Sequence, residues 1–61
     1  MTDAERWQAL KDYLAERIEQ DFAVHVDAVN AGDTHGAASY GGLVSANRST
    51  LAKMRELEAD R

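Results

Sequence analysis

The sequence predicts an all-α fold: an antiparallel hairpin of two long helices that dimerises into a four-helix bundle. Three observations predict it. Apolar residues recur every three or four positions along two long stretches, and proline is absent. A cluster of turn-forming residues, Ala31-Gly32-Asp33-Thr34-His35-Gly36, separates the two stretches. The 61 residues amount to one domain, 1–61, with helix 1 over about 3–30, a loop at 31–38 and helix 2 over about 39–60.

Helix 1 opens on Thr2 with Glu5 three residues on, the pattern in which each side chain satisfies the other's free backbone N–H. Trp7, Leu10, Leu14, Ile18, Phe22, Val26 and Val29 then form its apolar face. The opposite face is acidic, with Glu5, Asp12, Glu16, Glu19 and Asp27. Gly32 follows the last apolar turn and suits the left-handed position that ends a helix.

For helix 2, Asp33 or Thr34 offers an early cap and Ser39 a later one; the boundary is set at Ser39. Tyr40, Leu43, Val44, Asn47, Leu51, Met54 and Leu57 give its inward face. Gly41 and Gly42 each cost about 1 kcal/mol relative to alanine in a helix. Either those turns fray or another backbone packs close to them. Folding the chain about the loop sets Val26 near Leu43, Phe22 near Asn47, Ile18 near Leu51 and Leu14 near Met54. The same alignment brings Lys11 beside Glu58, opposite charges on the margins of two apolar stripes.

A single seam between two helices covers less than the apolar stripes offer, and a chain of this size lies near the lower limit for an independent core. Two hairpins stacked face to face bury both stripes. The expected dimer or partner interface comprises Trp7, Leu10, Leu14, Ile18 and Phe22 with His25, Tyr40, Asn47, Leu51 and Met54. The alternative is a three-helix-like monomer with a break inside residues 31–42. Asn47, centred on an apolar stripe, is a register residue. Its expected partners are His25 or its own symmetry mate across the dimer axis, and the alternative is a place at the solvated margin.

The composition bears on function by exclusion. No cysteine is present, so disulfides and thiolate metal sites are ruled out, and the formal charge of −4 argues against direct binding to nucleic acid. The N-terminus lacks a basic-then-apolar leader and no stretch suits a bilayer, so a cytoplasmic protein without membrane contact is expected. No phosphate-binding loop, dinucleotide fingerprint, zinc-protease or nucleophile-elbow motif occurs. Asp21 and His25 stand one helical turn apart, a carboxylate–imidazole spacing with no nucleophile or third ligand nearby; the plain reading is a carboxylate supporting a seam histidine. His35 reads as a loop residue at the surface. No catalytic, cofactor or metal residues are expected, and Arg48, Lys53, Arg55 and Arg61 make helix 2 mildly basic outside.

The stretches Trp7-Gln8-Ala9-Leu10-Lys11-Asp12-Tyr13-Leu14 and Leu51-Ala52-Lys53-Met54-Arg55-Glu56-Leu57-Glu58 flank an Ala/Gly-rich link that contains Tyr40. In this arrangement the chain resembles small helical proteins of unassigned function encoded by bacteriophages of actinobacteria. That resemblance implies phage origin and the host cytoplasm, and brings no site residues with it. The function expected is a non-enzymatic protein-interaction module that binds a host or phage protein. The alternatives are an acidic mimic of nucleic acid acting on a DNA-binding protein, through Glu5, Asp12, Glu16, Glu19 and Asp27, and a component of virion assembly.

Overall fold

The structure is a computed structural model, and it describes residues 1–60. Two helices account for nearly all of them: α1, Asp3–Asn30, and α2, Thr34–Ala59. They pack side by side as an antiparallel hairpin 44 Å long, 22 Å wide and 12 Å thick at the Cα atoms. Arg61, read from sequence as part of a basic outer surface, lies outside the described residues.

The N-terminal cap of α1 forms as its residues dictate. Thr2 Oγ1 accepts the Glu5 backbone N–H at 3.1 Å, and the Thr2 backbone N–H donates to Glu5 Oε1 at 3.0 Å. These bonds favour the ionised carboxylate, with the backbone bond to Thr2 the larger effect, and hold the Glu5 carboxyl below its ordinary value of 4.5. A depressed folded-state pKa means that the box contributes above the ordinary glutamate range and is lost as pH falls through the lower, folded value. Acidification through that lowered value, beneath the ordinary glutamate range, is therefore expected to fray the first turn of α1 while the rest of the helix persists. Amide exchange at Glu5 and Arg6 checks it; unchanged protection below that value would contradict the cap's dependence on charge.

The connection between the helices is shorter than expected. Asp33 N–H bonds to Ala28 O at 2.9 Å and Gly32 N–H to Val29 O at 3.1 Å, the paired bonds that close a helix through a left-handed residue. Gly32 supplies that residue at φ +74°. Asp33 then caps α2 at once, its Oδ1 accepting the Gly36 N–H at 2.9 Å. The loop is thus three residues, 31–33, instead of 31–38, and α2 starts at Thr34 rather than near Ser39. One aspartate ends one helix and begins the next, so no spacer is needed. Gly41 and Gly42 lie inside a continuous helix. At Gly41 the close neighbour is a side chain: a Cβ there would stand 3.1 Å from His25 Cε1.

The hairpin's own core is small. Val44, Leu51 and Met54 are the buried apolar side chains, all from α2. Trp7, Leu14, Ile18, His25, Ala28, Tyr40 and Asn47 are half-buried along the seam. Lys11 Nζ meets Glu58 Oε1 at 2.6 Å, as the sequence alignment anticipates. The Trp7 indole N–H donates to the same carboxylate oxygen. This cluster clasps the open end of the hairpin.

Two expectations about the seam are corrected. Phe22, Val26 and Leu43 remain 44%, 37% and 48% exposed, so they do not form the loop-end layers assigned to them. Asp21, His25 and Ala28 of α1 face the seam there instead. The reason is steric. A three-residue connection draws the helices together, and small groups at Ala28, Ala37 and Gly41 allow that approach while the larger side chains are displaced outward.

Candidate interaction surface

The α1 residues turned to the seam are Trp7, Lys11, Leu14, Ile18, Asp21, His25 and Ala28, alternating four and three apart. Those of α2, Ala37, Tyr40, Val44, Asn47, Leu51, Met54 and Glu58, keep the same rhythm. Such a spacing of 3.5 residues on both helices is that of paired helices wound about each other.

Three polar side chains interrupt the middle of the seam. Asp21 is the buried charge among the described residues, 4% exposed, and it pairs with Arg17 at 3.4 Å. His25 Nδ1 lies 2.7 Å from Ala37 O. A carbonyl only accepts, so the ring donates from Nδ1, tying α1 to the first turns of α2. The His25 ring also stacks beside Phe22, with centroids 6.2 Å apart. The sequence expectation of an Asn47–His25 hydrogen bond is thereby corrected: the imidazole is turned to the Ala37 carbonyl. Asp21 likewise finds its partner in Arg17, not in His25. Asn47 is half-buried, between the two alternatives read from sequence.

The seam divides the outer surface into two broad faces. Arg48 sits over the Phe22 ring, 5.3 Å from its centroid, which shows that the rows containing these two residues share one face. On α1 that row is Gln8, Ala15, Phe22 and Val29; on α2 it is Gly41, Arg48 and Arg55. The opposite face then carries Leu10, Arg17 and Val24 from α1 and Leu43, Thr50 and Leu57 from α2, each row stepping by seven residues. Leu10, Val24, Leu43 and Leu57 are 47%, 42%, 48% and 47% exposed, and Tyr13 beside them is 58% exposed.

No family model, curated protein or solved structure matches this chain. The surface itself is therefore what bears on function. Of the residues expected at an interface, Leu51 and Met54 are already buried inside the hairpin, Trp7, Leu14, Ile18, His25, Tyr40 and Asn47 are half-buried, and Leu10 and Phe22 are exposed. Glu5, Asp12, Glu16, Glu19 and Asp27 are all exposed. Gln8 and Gln20 donate to Asp12 and Glu16 from within α1.

A cavity of about 390 Å³ lies at the open end, lined by Asp3, Ala4, Trp7, Gln8 and Glu58. Glu58 already holds Trp7 and Lys11. Among the described residues no cluster of histidine and carboxylate side chains is arranged to hold a metal, and no helix is long and apolar enough to cross a membrane.

Sequence reasoning named Leu10 as an interface residue but gave Leu43 and Leu57 to the inward face. The signal that separates them was present: Leu10, Val24, Leu43 and Leu57 stand just before Lys11, His25, Val44 and Glu58, at one position of the seven-residue repeat. It became readable only once the phase of the seam was known.

Proposed function

We propose that this chain is a non-enzymatic protein-interaction module that works as a homodimer, two hairpins forming a four-helix bundle, and binds a host or phage protein through the surface left open. One observation carries the reading: three apolar side chains are buried, while Leu10, Tyr13, Phe22, Val24, Val26, Val29, Leu43 and Leu57 stay exposed. The accessible surface is 4500 Å², against about 3,900 Å² for a compact monomer of this mass. An apolar surplus of that kind on so small a protein marks an association surface.

Sedimentation equilibrium is expected to give twice the chain mass of 6.7 kDa. A hundredfold dilution lowers the stability of a folded dimer by about 2.7 kcal/mol, which corresponds to a fall in melting temperature of roughly 10 °C. A monomer mass with a melting point indifferent to dilution rejects the dimer.

The exposed acidic row supports a second reading, an acidic mimic that occupies a nucleic-acid-binding cleft. Its contacts are screened by salt, whereas an apolar anchor is not. A complex lost between 50 and 300 mM salt, and lost again when Asp12 and Glu19 become glutamine, favours the mimic. Salt-resistant binding favours the apolar anchor.

A further inference from the structure

We infer, building on the self-association proposed above, that the second copy seats on the broad face carrying Leu10, Val24, Leu43 and Leu57, with both loops at the same end of the bundle. The choice of face follows from what already covers each side. On the opposite face Arg48 lies over Phe22. The acidic residues Glu5, Asp12 and Glu19 and the base Arg55 frame that face by the helical repeat. By the same repeat Asp3, Arg6, Arg17, Asp27 and Lys53 lie on or beside the Leu10 face, so charge does not choose between the two. The choice rests on Phe22 being already covered by Arg48 while four aliphatic side chains stand exposed on the Leu10 side.

The Leu10 face carries its apolar groups in two bands. Leu10 and Leu57 make one, at the open end; Val24 and Leu43 make the other, near the loop. The register set by Lys11 and Glu58 puts Arg17 and Thr50 midway between them. The bands stand about 21 Å apart, since each is two seven-residue steps from the other. In plan the face measures 44 by 22 Å, enough for the roughly 800 Å² per partner of a standard interface. The surplus of about 600 Å² over a compact monomer is of the same order.

The orientation follows from charge. A two-fold axis across the helices lays α1 on α1 of the partner and brings Arg17 against its own mate at the centre. It also opposes two helices that each carry a net charge of −4 over Asp3–Asn30. An axis along the helices lays α1 on the partner's α2, whose net charge is +1 over Thr34–Ala59. Arg17 then faces Thr50, and each leucine band meets its like. Neighbouring helices are antiparallel in both arrangements, so the choice rests on the side-chain charges and not on the helix dipoles. Glu5, Asp12, Glu16 and Glu19 are left facing solvent, free for a different partner.

The absence of cysteine makes site-specific spin labelling direct. Labels on His35→Cys, an exposed residue beside the loop, are expected within about 20 Å of each other in the dimer, two stacked layers apart. Loops at opposite ends would put them near the 44 Å length of the hairpin, and that distance overturns the orientation. In parallel, Leu43→Glu is expected to raise the dimer dissociation constant at least about 100-fold, because a two-fold interface loses the side chain twice. Val29→Glu, on the other face, is expected to change it less than about threefold. Both positions are largely exposed in the hairpin, at 48% and 55%, so neither change removes core packing. Dissociation by Val29→Glu with none by Leu43→Glu overturns the choice of face and leaves self-association standing. A wild-type chain that stays monomeric at every concentration overturns self-association itself.

Discussion

Leu51→Ala is expected to abolish most of the helical signal at ambient temperature. Leu51 is one of the three buried apolar side chains, 6% exposed, and it sits mid-seam opposite Ile18. Truncating a buried leucine removes about 2–5 kcal/mol, counting the transfer of the lost carbons and the cavity left behind. A chain of this size holds about 3–9 kcal/mol in total, and its core supplies the smaller end of that range. With so few buried neighbours there is little material to collapse into the gap. Circular dichroism during thermal melting checks the prediction, with Ala46→Ser on the exposed side as a control. A Leu51→Ala protein that melts within a few degrees of wild type would mean that the seam is not where the fold is held.

The second large effect has the opposite sign. Asp21→Leu is expected to stabilise the hairpin by about 1–3 kcal/mol. The Asp21 side chain is buried, and its partner Arg17 reaches it from a half-exposed position at a distance longer than a strong ion pair. In general, replacing a buried ion pair by well-packed apolar side chains is neutral or stabilising. A leucine at the same position continues the layers of Leu14 and Ile18. Removing only Arg17, as Arg17→Ala, leaves the carboxylate buried and unpaired and is expected to destabilise by about 1–3 kcal/mol. Opposite shifts in the urea midpoint for the two variants are the diagnostic pattern. If Asp21→Leu lowers the midpoint, Asp21 is held by its surroundings better than the Arg17 contact alone provides. The retention of a costly charge mid-seam fits a role in register: Asp21 lies one residue from the level of Asn47 in the alignment set by Lys11 and Glu58, so slipped pairings would set one of these polar groups against the leucines.

How much was legible from sequence differs between the two ends of the hairpin. At the open end Lys11 and Glu58 were aligned from their charges, and the structure joins them at 2.6 Å. At the loop end the reading drifted. The apolar residues Trp7, Ile18 and Val29 recur every eleven residues, which is about 3.7 per turn, whereas the seam runs at 3.5. A stripe with the longer period rotates steadily off the contact line. It coincides with the seam through Leu14 and Ile18 and has left it by Phe22 and Val26. Periodicity within one helix reports where apolar groups cluster, but the phase of a seam belongs to both helices together. The same limit hid the partner of His25, because a backbone carbonyl leaves no mark in a list of side chains.

The sequence by itself determined that two helices form and where α1 starts and stops. The Thr2–Glu5 box and Gly32 act through bonds a few residues long, and such local geometry is written in neighbouring side chains. It also determined that the two helices pair antiparallel with Lys11 beside Glu58. Only the tertiary structure decided which side chains enter the seam and which remain outside. That choice turns on how closely the backbones approach, which the three-residue connection and the small groups at Ala28, Ala37 and Gly41 set jointly. A shift of one position in a seven-residue repeat exchanged Phe22 for Asp21 and Val26 for His25. Phe22 and Val26, displaced in this way, are left exposed on the broad face that carries Arg48.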